Sequence, residues 1–230
     1  MGLLDSFDKS KNVSDESIYS VLSNDLAGSP TKELHVYTKW KSMHIQKTIL
    51  DGDKNPLYFA EFRYSRPSNL KERFVQLWEG ENDKGPLVGK MGSNMWMTKF
   101  HFRDVNGAEH AMKSDTSFVH SRYIWTPPGA SGQTLIWKTT RTLDMEGQKK
   151  SKIGRALKLV DEQDRAVAMF VYSKFARKKV GKFIINREYN DSREFEQGVL
   201  VSGLAILEIY AISCRTSAAT ASSVSAVSTV

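Results

Sequence analysis

Apolar and polar side chains alternate along most of the chain. Phe100 and Phe102, for example, alternate with Lys99, His101 and Arg103. A period of two places apolar side chains on one face of a β-strand and polar side chains on the other. The segments that fit this pattern are Leu34–Trp40, Met43–Leu50, Leu57–Tyr64, Phe74–Glu79, Leu87–Met91, Trp96–Arg103, Ala108–Lys113, Arg122–Thr126, Thr134–Thr142, Ala156–Val160, Ala166–Tyr172 and Val180–Asn186. Short turn sequences separate several of them, as in antiparallel hairpins.

One segment near the end of the chain has a different pattern. Gln197–Leu207 is uncharged and would be apolar on every face of a helix. Such a helix lies inside a soluble protein, and the run is well short of the ~20 residues that cross a bilayer. The preceding segments supply strands and no second long helix. We therefore expect a mainly β fold, a closed antiparallel β-barrel of about 12 strands around a C-terminal hydrophobic α-helix.

The helix is expected to occupy residues 192–214. Asp191 and Glu194 have the spacing of a reciprocal N-terminal cap, and acidic residues suit the positive end of the helix dipole. Gly198 and Gly203 lower helix stability by about 1 kcal/mol each relative to Ala. Close approach of the surrounding strands would explain both glycines.

Composition divides the chain into three parts. Residues 1–33 are polar and acidic and end in Gly28-Ser-Pro30, which predicts a flexible N-terminal arm. Residues 34–215 form the predicted barrel with its central helix. Residues 216–230 are almost wholly Ser, Ala, Thr and Val, which predicts a disordered tail.

The sequence shows no pattern of catalytic or metal-binding residues. Cys214 is the one cysteine, so an internal disulfide is excluded, and the N-terminus has no secretory pattern. The five histidines lack ligand spacing. Asp51, Asp53 and Asn55 resemble the start of a calcium loop, but Pro56 stands where that loop requires Gly. We predict a cytoplasmic, non-enzymatic protein with no cofactor and no metal.

The net charge of +7 is concentrated in one region. Residues 145–187 hold twelve Lys or Arg against four Asp or Glu. Clustered cations attract phosphate, whether on lipid headgroups or on nucleic acid. The alternative is a solvated face that keeps the protein soluble. Only Tyr172 and Phe175, which flank Lys174, interleave aromatic side chains with these cations, so nucleic acid is the less favoured partner.

Val88–Gly107 carries a resemblance to a known family. The residues Gly89-Lys90, Ser93-Asn94 and Thr98-Lys99-Phe100 match a Gly-Lys-Leu-Arg-Ser-Asn-x-x-Gly-Thr-Lys-Phe stretch. This stretch belongs to the tubby C-terminal domain, which is related to phospholipid scramblases and to plant LURP-one-related proteins. The resemblance implies a twelve-stranded barrel threaded by a C-terminal hydrophobic helix, in agreement with the expectation from periodicity.

The resemblance also implies a ligand. In tubby proteins a Lys and an Arg two residues apart bind the phosphates of phosphatidylinositol 4,5-bisphosphate. Lys90 occupies the Lys position, but Gly92 occupies the Arg position, so half of the pair is absent. The basic region would supply the remaining cations. The candidate phospholipid-binding residues are Lys90, Lys149, Lys150, Lys152, Lys174, Arg177, Lys178, Lys179 and Lys182.

The N-terminus offers a candidate lipidation site. Met1-Gly2-Leu3-Leu4-Asp5-Ser6 fits the N-myristoylation pattern, with Gly2 as the acylated residue. One acyl chain needs a second membrane signal, which the basic region would supply.

Together these features predict a monomeric, peripheral membrane protein that binds anionic phospholipid. Two alternatives stay open. One is a regulator that uses the barrel as a scaffold for protein or nucleic-acid interaction, for which a nuclear location is an option. The other is a scramblase-like lipid protein.

Overall fold

The computed structural model describes residues 29–39, 45–63, 74–94, 98–115, 122–128, 132–140, 156–173 and 178–227. Within these ranges the chain forms twelve strands and one helix. The strands are β1 (Thr31–Lys39), β2 (Ile45–Leu50), β3 (Pro56–Phe62), β4 (Val75–Glu79), β5 (Leu87–Ser93), β6 (Lys99–Asp104), β7 (Glu109–Ser114), β8 (Arg122–Trp125), β9 (Leu135–Thr140), β10 (Ala156–Val160), β11 (Ala166–Tyr172) and β12 (Lys179–Asn186). The helix is α1 (Arg193–Val227).

The twelve strands form a closed antiparallel barrel. Each strand pairs with its neighbours in the chain, and β12 pairs with β1 to close the sheet, so that Leu34 lies opposite Phe183. Closure leaves no strand edge unpaired. The predicted fold class is therefore confirmed, because the alternating segments form one sheet whose apolar faces line a common interior.

The interior of the barrel is filled by α1. Phe195, Val199, Leu200, Leu204 and Ile206 point in different directions around the helix, and all are fully buried. The segment Arg193–Ser213 is long and apolar enough to cross a membrane, but 83% of its most apolar stretch is buried inside the barrel. The core helix of a soluble protein can be equally long and equally apolar.

Small residues of α1 let the wall approach closely, as predicted. A methyl group on Gly203 would lie 2.5 Å from Cε1 of Phe183, and one on Gly198 would lie 3.1 Å from Cη2 of Trp125. Ser202 accepts a hydrogen bond from the Trp137 indole at 3.0 Å and donates one to the Gly198 carbonyl at 2.8 Å. Its hydroxyl thus joins the helix to β9.

The cap of α1 differs from the prediction. Ser192 caps the helix, because its hydroxyl accepts a hydrogen bond from the Phe195 amide at 3.2 Å. Both carboxylate oxygens of Asp191 instead accept from the Arg187 guanidinium, at 2.6 and 2.7 Å. This bidentate ion pair holds the Asp191 side chain away from the first turn of the helix.

The boundaries of two predicted terminal segments also differ. Residues 31–33, assigned to the flexible arm, belong to β1 because Lys32 and Glu33 pair with Ile185 and Ile184 in the strand that closes the barrel. The helix continues to Val227, through most of the predicted disordered tail. Extension adds one backbone hydrogen bond per residue to a helix that the core has already nucleated, and Ala is the best helix former.

The two ends of the barrel follow from strand direction. Because α1 follows β12, the helix enters at the end that holds the β2–β3, β4–β5, β6–β7, β8–β9 and β10–β11 connections. We call this end the entry rim. The opposite end, where odd-numbered strands finish and even-numbered strands begin, is the exit rim. The helix leaves the barrel at the exit rim, because Glu208 contacts Lys47 near the start of β2.

Candidate functional site

The exit rim is basic. This rim comprises the terminal residue of each strand at this end, together with the neighbouring residue outside the strand where the structure describes it. Six cations and one carboxylate occupy these positions: Lys39, Arg63, Lys99, Asp115, Arg122, Lys178 and Lys179. Four of the cations have no ion-pair partner among the residues that the structure describes: Lys39, Lys99, Lys178 and Lys179. Their charge is therefore available to an anionic partner.

The entry rim has the opposite charge. Its described connections are residues 51–55, 80–86, 105–108, 126–128, 132–134, 161–165 and 187–192, and they hold nine carboxylates and four cations. The two rims are separated by the length of the strands. The described part of the barrel therefore carries an excess of negative charge at one end and of positive charge at the other, which orients it in the field of a charged surface.

Local contacts hold the backbone that carries the exit-rim cations, and one of them involves a charged group. The carbonyl oxygen of Lys178 accepts a hydrogen bond from the Thr38 amide at 2.8 Å, which attaches the start of β12 to β1. The Lys39 ammonium lies 5.7 Å from the centroid of the Phe59 ring, within cation–π range. Lys99 follows Thr98, whose amide donates to the Asn94 side chain at 2.8 Å.

Lys90 lies on the outer wall, in the middle of β5. Its neighbours across the sheet are Gln76 on β4 and Arg103 on β6. Arg103 forms an ion pair with Glu109, and this contact holds the pKa of the Glu109 carboxyl below its usual value. The adjacent Gly89 faces inward, where a methyl group would lie 2.8 Å from Cε2 of Phe102 and 3.3 Å from Val201 of α1. This close contact explains Gly89 without any ligand.

Lys182 is not exposed as a phosphate-binding cation would need to be. Its side chain is 5% exposed, and its ammonium lies 2.6 Å from the Glu33 carboxylate. The pair lies beside His35, whose pKa is lowered, first by burial and then by the positive charge of Lys179. Lys182 therefore belongs to a polar cluster on the wall between β1 and β12.

The structure does not bring Lys90 close to the basic end of β12. Around the closed sheet, four strands separate β5 from β12 in one direction and six in the other. Neighbouring strands lie about 4.8 Å apart, so at least ~24 Å of wall separates these positions. A single headgroup cannot contact both Lys90 and Lys179. Lys178 and Lys179 share the exit rim, whereas Lys90 lies apart from them.

Several candidate residues lie outside the described residues. These are Gly2, Lys149, Lys150, Lys152, Lys174 and Arg177. Conversely, the rim includes Lys39, Lys99 and Arg122, which were not predicted as site residues. They are distant in sequence and share only their position at a strand end. The antiparallel order of the strands could have identified these three residues, because it assigns every strand end to one rim or the other.

No group of three or more His, Cys, Asp or Glu side chains within the described ranges is arranged to hold a metal ion. Comparison with protein-family models, with curated proteins and with solved structures finds no match to this chain. The resemblance of Val88–Gly107 to the tubby domain therefore stays a prediction. What is established is the class of fold, a twelve-stranded antiparallel barrel closed around its own C-terminal helix.

Proposed function

We propose that this protein binds anionic phospholipid surfaces through its exit rim and catalyses no reaction. The observation that supports the proposal is the separation of charge between the basic exit rim and the acidic entry rim. An anionic surface attracts the first and repels the second, so the barrel meets it in one orientation. In this proposal the protein acts at the cytoplasmic leaflet, whose anionic lipids attract basic surfaces.

The size of the attraction supports a reversible interaction. A Lys or Arg close to an anionic membrane contributes about 1 kcal/mol. Lys99, Lys178 and Lys179 together would contribute about 3 kcal/mol, which is roughly a hundredfold in partitioning. This attraction falls as salt increases, because the rim is exposed to solvent. The resemblance to the tubby domain favours phosphoinositide as the lipid. Lys90, which lies apart from the rim, is the one residue that matches the Lys and Arg pair of that domain.

The test is sedimentation with vesicles of phosphatidylcholine alone, with added phosphatidylserine and with added phosphoinositide, at low and high salt. We expect binding to both anionic compositions at low salt and loss of binding at high salt. The variant Lys178→Glu/Lys179→Glu reverses two rim charges and should weaken binding by about tenfold or more.

The matched control is Lys54→Glu/Lys84→Glu. Both lysines are exposed in entry-rim turns, and the net charge of the protein changes by the same amount. If both variants weaken binding equally, the attraction depends on net charge alone and the exit rim has no special role. A wild-type protein that stays in the supernatant with every composition at low salt would overturn the proposal.

A further inference from the structure

The outer wall of the barrel carries a depression of about 420 Å³ beside the turn that joins β10 to β11. Its lining holds two cations, Arg122 and Lys138, and three carboxylates, Asp161, Glu162 and Asp164. Ile136 and Val160 contribute aliphatic surface. A volume of this size is in the range of pockets that hold small molecules. The depression shares Arg122 with the exit rim, but it includes none of the rim cations that lack an ion-pair partner among the described residues.

Three cations lie side by side on the outer wall here, and two of them, Arg122 and Lys138, line the depression. Arg122 on β8 pairs across the sheet with Lys138 on β9, and Lys138 pairs with Lys158 on β10. Directly paired residues point to the same face of a sheet, and neighbouring strands are about 4.8 Å apart. The row therefore spans roughly 10 Å, a width that lets one oxyanion contact two cations at once.

Carboxylates of the protein already contact this cationic row. The Asp115 carboxylate lies 3.6 Å from the Arg122 guanidinium. Lys138 donates a hydrogen bond to Asp164, whose side chain is 70% exposed. The contact with Lys138, together with the charges of Lys158 and Arg122, holds the pKa of the Asp164 carboxyl below its usual value. Asp164 thus shows what kind of group the row accepts, an oxyanion that approaches from solvent.

Asp161 is the buried carboxylate of this turn, and it is satisfied within the turn itself. Asp161 accepts hydrogen bonds from the amides of Gln163 and Arg165 at 3.0 and 2.8 Å, and from the Arg165 guanidinium at 2.7 Å. It therefore holds the turn together and does not compete for the cations. Asp164 has a φ of 63°, a left-handed conformation that Asp and Asn tolerate better than most residues.

We propose that this depression is a binding site for a small phosphate-bearing ligand, which displaces the Asp164 carboxylate and is held by Arg122 and Lys138. Arg presents a planar fork to phosphate oxygens and Lys supplies a point charge. Ile136 and Val160 give the ligand an apolar surface beside its charged group. Asp164 acts as an internal competitor that lowers the affinity of the site for any external anion.

Isothermal titration calorimetry with inorganic pyrophosphate tests the proposal on the full chain. Asp164→Asn removes the competing charge and keeps a residue that tolerates the left-handed conformation, so affinity should rise at least about fivefold. Lys138→Gln removes a charge-assisted hydrogen bond, so affinity should fall about tenfold or more.

Lys113→Gln is the matched control, because Lys113 is an exposed lysine on the outer face of β7. It should change pyrophosphate affinity by less than about twofold. The proposal is overturned if Asp164→Asn does not bind more tightly than the wild type, or if Lys138→Gln equals Lys113→Gln. Circular dichroism confirms that each variant is folded before titration.

The phosphate group could belong to a lipid headgroup or to a soluble phosphate ester. Binding to vesicles that contain phosphoinositide, compared with vesicles that contain phosphatidylserine at the same charge, distinguishes these two sources. If Lys138→Gln abolishes a preference for phosphoinositide, the ligand is a lipid headgroup. If Lys138→Gln loses only pyrophosphate binding, the ligand is a soluble phosphate ester. The rim variant Lys178→Glu/Lys179→Glu should retain pyrophosphate binding, so that failure of the rim and failure of the depression are separate results.

Discussion

At the scale of single residues, two glycines allow α1 to pack closely against the wall of the barrel. Gly203 lies against Phe183 and Trp137, and Gly198 lies against Trp125 and Pro128. Larger side chains at these positions would force the helix away from the aromatic rings that fill the barrel. Ser202, between them, satisfies the Trp137 indole that would otherwise be buried without a partner.

We predict that Gly203→Ala destabilises the protein by about 1–3 kcal/mol. Helix propensity alone would stabilise the variant by about 1 kcal/mol, but the new methyl group would lie 2.5 Å from Phe183 and overpack the core. Urea denaturation measures the difference. Gly52→Ala is the control, since nothing lies within 4 Å of a methyl group there. A Gly203→Ala variant as stable as this control would show that the core has room to adjust.

At the scale of elements, an internal ion pair joins α1 to the sheet. The Lys47 ammonium on β2 lies 3.2 Å from the Glu208 carboxylate, with exposed side-chain fractions of 6% and 2%. The same ammonium lies 4.2 Å from the centroid of the Phe62 ring. Tyr58 and Lys32 hold Glu196 at the other end of the helix, at 2.9 and 2.6 Å. Charged contacts therefore set the position of α1 along the barrel axis.

We predict that Lys47→Met alone costs about 3–5 kcal/mol, because it removes the ammonium that faces the buried Glu208 carboxylate. The double variant Lys47→Met/Glu208→Gln should recover most of this loss, since neither residue then carries a charge. A double-mutant cycle in urea, completed with Glu208→Gln, measures the coupling between the two residues. Additive effects would mean that the pair does not stabilise the position of the helix.

Elements of the fold were predictable where their pattern is local. Phe100 and Phe102 alternate with charged residues, so β6 could be recognised from its own sequence, and the apolar run of α1 required a surrounding sheet. The partner of Lys47 could not be predicted in this way. Period-two alternation places Lys47 on the same face as Ile49, but Glu208 is 161 residues away and nothing local connects them.

The candidate site was less predictable than the fold. Charge clustering between residues 145 and 187 indicated Lys178 and Lys179, but it also selected Lys182, which the structure buries against Glu33. Lys99 and Arg122 reach the rim only because strands from different parts of the chain end there. Prediction of the depression would have required the cross-strand register of Arg122, Lys138 and Lys158, and no local pattern specifies that register.

At the scale of the whole molecule, the barrel depends on the helix that fills it. Leu204, Ala205 and Ile206 are fully buried, and Ile209 is 2% exposed. Without them the apolar inner face of the sheet would surround an empty space, and cavities in a core are costly. The helix is therefore an integral part of the hydrophobic core.

We predict that a chain ending at Ser213 folds, whereas a chain ending at Gly203 does not. The first keeps every residue of α1 that the structure describes as buried, so its unfolding midpoint should lie within about 5 °C of the full chain. The second loses the buried residues from Leu204 to Ile209. Thermal circular dichroism and protease resistance distinguish the two. A folded, cooperative chain ending at Gly203 would contradict this dependence of the barrel on the helix.

The order of elements in the chain has a consequence for biosynthesis. Since α1 follows all twelve strands, the ribosome releases the strands before the segment that fills the space between them. During that interval Trp137, Phe183 and their neighbours have no partner to cover them, and nascent chains with exposed apolar surface are prone to aggregate. Closure also joins β1 to β12, the most distant strands in sequence, and contacts of this kind form slowly. Protection of the nascent sheet until its last segment emerges is thus a requirement set by the topology itself.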